Sequence, residues 1–187
     1  MYVTTEQYET TLESYIADIV AGDKAAVSAL YENTKTAVYG FAMSILKNTS
    51  DAEDVLQDTY VKIWSAADSY KPLGKPMAWV LTITRNLAMS MLRERSKTTD
   101  ITEESWMTFE AKSSNTSTED KLVLKAAMQV LTGEERQIIV LHAISGLKHV
   151  EIARLLSLPL STVLSKYSRA RKKLQITLKE GRFIEND

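Results

Sequence analysis

The sequence predicts an all-α fold in which two helical lobes are joined by a flexible linker. Apolar residues recur at helical spacing over several long stretches, and no run alternates apolar and polar residues as a half-buried strand does. Helix breakers are scarce, with six Gly and three Pro in 187 residues. A 44 % hydrophobic and 25 % charged composition is typical of a globular chain, which excludes wholesale disorder.

Four helices are predicted in the first lobe. The first spans Thr5–Val20, and Gly22 followed by Asp23 ends it and caps the second, Lys24–Lys47. The third is predicted from a capping box at Ser50–Glu53 and runs to about Ala66. Turn-forming residues fill 68–75, and Pro76 suits the first turn of a fourth helix that runs to about Arg95.

The segment 98–118 breaks the helical pattern and is predicted to be the linker. It is rich in Ser and Thr and carries an acidic excess. Trp106, Met107 and Phe109 are exceptions, which either dock on a lobe or bind a partner. The predicted domains are therefore 1–97 and 119–187.

Helices also account for the second lobe. Leu122–Val130 has helical spacing, Thr132–Glu135 forms a second capping box, and Gly146 ends the helix that follows. A short helix at His149–Leu156, a turn at 156–159 and a last helix from Ser161 to about Lys179 complete the lobe.

The last two helices have the arrangement of a helix-turn-helix. In the final helix Val163, Tyr167, Ala170 and Leu174 form an apolar stripe. Short polar and basic side chains form another face, as a helix entering the major groove of DNA requires. That face comprises Thr162, Ser165, Lys166 and Arg169, continued by Lys172 and Lys173. Arg171, Lys172 and Lys173 suit phosphate neutralisation, but equally favour the helix dipole.

Charge is segregated along the chain although the net charge is −1. Residues 1–60 carry three Lys or Arg against ten Asp or Glu, whereas 61–98 carry seven against two and 161–187 seven against three. Basic blocks suit nucleic acid and acidic blocks suit a protein partner, although a solubilising surface gives the same pattern.

Several classes of function are disfavoured. The chain has no Cys and two His, which excludes disulfide scaffolds, thiolate chemistry and zinc fingers. No glycine-rich phosphate loop or pair of catalytic carboxylates is evident, so we predict no enzyme, cofactor or metal. The acids along Asp51–Asp58 could bind a metal, but they lie along a helix and point in several directions. Without an apolar span or signal-peptide pattern, we expect a cytoplasmic protein.

Several segments resemble the bacterial RNA polymerase sigma factors. Asp51–Trp64 and Trp79–Arg93 are similar to sigma region 2, and Leu131–Gln137, Glu151–Val163 and Ser168–Leu174 are similar to region 4. Two lobes with a short linker match the extracytoplasmic-function (ECF, group 4) type. The resemblance implies a sigma factor that binds core polymerase, recognises and melts promoters, and is controlled by an anti-sigma factor.

The resemblance also implies site residues. The helix containing Asp51, Glu53, Asp54, Gln57 and Asp58 would dock on the clamp of the largest polymerase subunit. The −10 element would contact Tyr70, Lys71, Arg85, Asn86 and Arg93, and the −35 element would contact Ser161, Thr162, Ser165, Lys166 and Arg169, with Arg171, Lys172 and Lys173 alongside.

Departures from the family pattern put individual contacts in doubt. Leu164 stands where Lys is common and Ser90 where Asp is common, while Ser157 and Ser161 occupy turn positions that often hold Gly. The alternatives are a conventional helix-turn-helix regulator that binds duplex operators and a helical adaptor protein. A regulator would bind duplex DNA alone, whereas a sigma factor needs polymerase.

Overall fold

The structure is a computed structural model that describes residues 5–98 and 128–183. Within these ranges every regular element is a helix, which confirms the all-α prediction. The helices are α1 (Thr5–Val20), α2 (Lys24–Leu46), α3 (Thr49–Ala66), α4 (Pro76–Thr98), α5 (Gly133–Ala143), α6 (His149–Leu156) and α7 (Leu160–Phe183), with a 3-10 helix at Ala67–Ser69. The fourth and last helices are longer than predicted.

Helix α2 lies at the centre of the first lobe and packs against α1, α3 and α4. Leu30 and Phe41 on this helix are fully buried, as is Leu12 on α1. The core also encloses polar side chains, and among them the hydroxyls of Thr34 and Tyr60 lie 2.7 Å apart. Because both hydroxyls find a partner, burying them costs little.

Helix starts follow the expected capping chemistry with one correction. The Asp23 side chain accepts a hydrogen bond from the Ala25 amide at 2.8 Å, as predicted for the start of α2. The predicted cap at Ser50 is wrong, because Ser50 lies inside α3, which begins at Thr49. Its N-cap is Asn48, whose side chain accepts from the Asp51 amide at 3.1 Å.

The second lobe is built from α5, α6 and α7 around buried Ile138, Leu141, Ile152 and Val163. The capping box between Thr132 and Glu135 is confirmed. Helices α6 and α7 form the predicted helix-turn-helix pair, and the turn between them places Ser157 at a φ of 57°. This left-handed conformation explains why glycine is suited to the position.

The two lobes are in contact through α2 and α5. Gly40 lies in this contact, since a Cβ atom there would lie 3.7 Å from the side chains of Val140 and Ile144. A single hydrophobic core therefore extends across both lobes.

Part of the sequence prediction lies outside the described residues. This applies to nearly all of the linker at 98–118, to Trp106, Met107 and Phe109, and to most of the helix predicted at Leu122–Val130. Among the helices that are described, none is both long and apolar enough to cross a membrane.

Candidate protein and nucleic-acid interfaces

The exposed face of α3 is acidic. Glu53, Asp54, Gln57 and Asp58 are all exposed, while Val55 and Ile63 on the opposite side are buried in the core. The helical period of 3.6 residues separates the two sets. The structure therefore places four of the five predicted polymerase-binding residues on one accessible surface.

Asp51 is placed differently from the other acids of α3. It is 6 % exposed, and its carboxylate forms an ion pair with Arg95 on α4, with Arg95 Nη2 donating to Oδ1 at 2.6 Å. Burial raises the pKa of Asp51 despite the opposing effect of Arg95. Asp51 thus ties α3 to α4. In the part of the chain that the structure describes, no group of three or more acidic or histidine side chains is arranged to hold a metal ion.

Two apolar side chains extend the acidic face of α3. Val61 is 70 % exposed and Trp64 is 43 % exposed. The sequence analysis did not single them out, although Val61 follows Asp58 by three residues and Trp64 follows Val61 by three. Acidic groups bordered by exposed apolar groups form a surface typical of a protein interface.

The loop at 70–75 joins the 3-10 helix to α4. Lys71 and Leu73 are exposed, and Gly74 has a φ of 67°, which favours glycine. The Tyr70 ring packs at 5.1 Å, centroid to centroid, on the ring of Trp79. This loop therefore presents cationic and apolar groups beside a fixed aromatic pair.

Two glutamates of α1 contact this loop and the start of α4, and the sequence analysis missed both. Glu13 Oε1 accepts hydrogen bonds from the Tyr70 hydroxyl at 2.7 Å and from the Gly74 amide at 2.9 Å. Glu9 Oε2 lies 3.4 Å from the Met77 amide at the start of α4. These contacts span 57 to 68 residues of sequence, so no local pattern signals them.

Basic and polar groups continue from the loop along α4. Asn86 and Arg93 are exposed and lie two helical turns apart, so they share one face, while Arg85 is half-buried. The predicted −10 residues thus fall into two groups, Tyr70 and Lys71 on the loop and the other three on α4.

Helix α7 presents the second candidate surface for DNA. Ser161, Ser165, Arg169, Arg171 and Lys172 are exposed. Thr162 is half-buried, and the predicted apolar stripe contains fully buried Val163 and Ala170. Leu164, where the family commonly has Lys, is also exposed.

Two lysines of α7 are engaged by glutamates at the start of α5. Lys166 Nζ lies 2.7 Å from Glu134, and Lys173 Nζ lies 2.7 Å from Glu135, which is buried. Burial alone would raise the pKa of Glu135, but hydrogen bonds from Lys173 and the Thr132 amide outweigh it and hold the pKa below its usual value. Lys173 therefore joins α5 to α7 in addition to any contact with DNA.

Both histidines lie in one aromatic cluster within the helix-turn-helix lobe. The rings of His142 and His149 stack at 4.4 Å between centroids, and Tyr167 packs edge-on against both. His142 Nδ1 lies 2.9 Å from the Leu147 carbonyl. Because a carbonyl only accepts, that nitrogen carries a proton. Burial, with a smaller effect of His142, lowers the pKa of His149.

Comparison with protein families agrees with this geometry. The Sigma-70 region 2 family matches residues 30–98, and the Sigma-70, region 4 family matches residues 121–174. The two matches are in chain order and together cover well over half of the 187 residues. Helix α1 precedes the first match.

Individual relatives point the same way. The chain is 35 % identical over 85 residues to the ECF RNA polymerase sigma factor SigK of Mycobacterium sp. (strain KMS), spanning 45 % of this chain and 44 % of that relative's length. It is 26 % identical over 174 residues to SigK of Mycobacterium tuberculosis, an alignment spanning 88 % of this chain and 91 % of the relative.

Two solved structures share the fold. The sigma factor RpoE, in complex with the anti-sigma factor NepR from Bartonella quintana, gives a TM-score of 0.67 at 29 % identity, covering 81 % of this chain and 96 % of that one. CnrH, in complex with the cytosolic domain of CnrY, gives 0.64 at 25 % identity, covering 91 % and 98 %.

Proposed function

The chain belongs to the sigma-70 family as a sigma factor of the ECF type, and on this premise we propose that it binds core RNA polymerase and directs initiation at a specific set of promoters. The observation that carries the proposal is the ordered match to regions 2 and 4. Each region contains an exposed helical face whose charge suits the partner proposed for it.

The acidic face of α3 is the proposed docking surface for polymerase. Glu53, Asp54, Gln57 and Asp58 would meet basic groups on the clamp of the largest subunit, and Val61 and Trp64 would add apolar area beside them. Asp51 would act indirectly, because its ion pair with Arg95 fixes α3 against α4.

The loop at 70–75 and helix α4 are the proposed site for the −10 element. Extruding a base from the stack costs a few kcal/mol, so a preformed pocket and backbone contacts must offset it. Tyr70 and Lys71 would border the pocket, while Arg85, Asn86 and Arg93 would hold the unpaired strand along α4.

Helix α7 is the proposed reader of the −35 element. Ser161, Thr162, Ser165, Lys166 and Arg169 have the hydrogen-bonding groups that contact base edges in a major groove. Arg171, Lys172 and Lys173 would neutralise phosphates and make binding depend steeply on salt. The domain limits proposed for these activities are 1–97 and 119–187, with 98–118 connecting them.

An anti-sigma factor is the proposed regulatory partner. The RpoE relative was solved with an anti-sigma factor and CnrH with the cytosolic domain of CnrY. We propose that a protein of this kind controls the present chain, which would act in the cytoplasm, where the polymerase is.

Run-off transcription tests the proposal. Core polymerase is supplied with the full chain and a library of templates with randomised upstream sequence. We expect discrete transcripts that share two upstream motifs and depend on the chain. If the chain binds no polymerase but binds duplex DNA alone, the proposal is wrong and a conventional regulator is indicated.

A further inference from the structure

Glu13 is a candidate for a role that the family match leaves unassigned. It lies on α1, which precedes the matched residues 30–98, yet its carboxylate reaches the loop proposed to receive the −10 element. One oxygen, Oε1, accepts from both the Tyr70 hydroxyl and the Gly74 amide. A single group therefore links both ends of the five-residue segment 70–74.

The segment between those two points is shaped by its own backbone. The Leu73 amide donates to the Lys71 carbonyl at 2.8 Å, and Gly74 adopts a φ of 67°. Lys71 and Leu73 consequently project outward, and Leu73 is 74 % exposed. The tight turn and the Glu13 carboxylate together determine which side chains the loop presents.

Tyr70 is held at two places. Glu13 accepts from its hydroxyl, and Trp79 packs against its ring. Burial and the neighbouring Glu13 carboxylate raise the pKa of Tyr70, so its hydroxyl keeps the proton that it donates. Removing the acceptor would leave the ring packed on Trp79 but its hydroxyl end unrestrained.

Glu9 supports the same arrangement one helical turn earlier on α1. Helix α4 has no acidic residue in its first turn, and Glu9 supplies a carboxylate near the Met77 amide there. Burial is the largest of the effects that raise the pKa of Glu9, and the nearby Glu151 and Glu13 add to it. Glu9 and Glu13 lie close to a loop that would meet DNA, and their carboxylates repel phosphates. Their presence is therefore better explained by positioning of the loop than by direct contact with DNA.

We propose that Glu13 is a positioning residue for promoter melting: by accepting from Tyr70 and Gly74 it fixes the loop at 70–75 in the shape that receives an unpaired −10 base. This inference rests on the proposed function. It assigns to α1 a part in −10 specificity through the loop, without direct contact with DNA.

The test compares open-complex formation by core polymerase with the full chain on a promoter selected from the library. The measured quantity is the ratio of rates on the selected promoter and on a single-base −10 variant. We expect Glu13→Ala to lower this ratio about tenfold, within the usual range for loss of one base preference. Glu13→Gln keeps an oxygen acceptor and should stay within about twofold of the parent.

Two controls separate positioning from general damage. Asp18→Ala removes an exposed acid from the same helix and should leave the ratio unchanged. The ratio of rates on the selected promoter and on a single-base −35 variant should be the same for the parent chain and for each substituted chain. Because Glu13 acts partly through Tyr70, the effects of Glu13→Ala and Tyr70→Phe should be less than additive when combined.

Three outcomes would overturn the inference. If Glu13→Ala keeps the parent −10 ratio, the inference is wrong while the proposed function stands. The same conclusion follows if Glu13→Ala lowers the −10 and −35 ratios equally. If the parent chain itself shows no promoter selectivity with core polymerase, the inference and the proposed function fail together.

Discussion

The ammonium of Lys75 lies 3.0 Å from the carboxylate of Glu151, so the end of the loop at 70–75 is ion-paired to α6 of the helix-turn-helix lobe. Glu151 also accepts from the Lys148 amide at 2.9 Å. Burial alone would raise the pKa of Glu151, but that amide and Lys75 together hold it below its usual value. Since Lys75 is nearly half exposed, the pair contributes at most about 1 kcal/mol, and apolar packing near Gly40 dominates the contact between lobes.

The contact between lobes depends on the small size of Gly40. We expect Gly40→Phe to separate the lobes, because Val140 and Ile144 leave room for a Cβ at ordinary contact distance but not for a ring. Small-angle X-ray scattering should show a larger radius of gyration, with helix content unchanged by circular dichroism. Gly40→Ala is the matched control and should stay compact. An unchanged radius for Gly40→Phe would show that the lobes do not pack there in solution.

The acidic face of α3 should control assembly with polymerase. We expect Asp54→Lys combined with Asp58→Lys to weaken binding to core polymerase by tenfold or more at about 0.1 M salt, because two attractive contacts become repulsive. Fluorescence anisotropy of the labelled chain measures this affinity.

The control for the α3 variant makes the same change in charge on α1, away from the acidic face of α3. Glu6→Lys combined with Asp18→Lys alters two exposed acids of α1 and should bind polymerase like the parent chain. Equal weakening by both double variants would show that net charge, rather than the α3 surface, determines assembly.

Features set by nearby residues were predictable from the sequence. The predicted bounds of α1 and α6 agree with the structure, and the Thr132 capping box marked the start of α5 correctly. The cap of α3 was misassigned because Asn48 and Ser50 are both good N-cap residues two positions apart. Local chemistry alone does not choose between them.

Features that depend on tertiary contacts were not predictable. Asp51 was grouped with the exposed acids of α3, yet it pairs with Arg95, which is 44 residues away. The sequence analysis assigned no role to Glu9 or Glu13. Only the packing of α1 against the loop at 70–75 gives them partners, and single-sequence periodicity carries no information on that packing.

Recognition of the −35 element should depend on α7. We expect Lys166→Ala combined with Arg169→Ala to abolish −35-dependent transcription, because each side chain can contact base edges or phosphates. Binding to core polymerase should be unaffected. Lys179→Ala, which removes an exposed charge further along the same helix, is the control. If binding to core polymerase fell as much as transcription, the role of α7 would not be limited to contact with DNA.

The histidine cluster should make the helix-turn-helix lobe sensitive to acid. The folded-state pKa of His149 lies below its ordinary value of 6.5, because burial and His142 disfavour the charged form. Between the two pKa values the unfolded chain binds more protons than the folded one, so the free energy of unfolding falls as pH drops below about 6.5. For one proton, the free energy of unfolding changes by at most about 1.4 kcal/mol per pH unit. It stops falling once the pH is below the folded-state pKa.

Nuclear magnetic resonance measures this directly, because the chain has two histidines and their imidazole signals can be assigned by substitution. We expect His149 to titrate below 6.5, and amide protection in α6 and α7, corrected for intrinsic exchange, to fall between pH 7 and pH 5.5. In His149→Gln the drop in protection should be smaller, because the ring that must lose its proton on folding is gone. A His149 pKa at or above 6.5 would contradict the prediction, since protonation would then carry no penalty in the folded lobe.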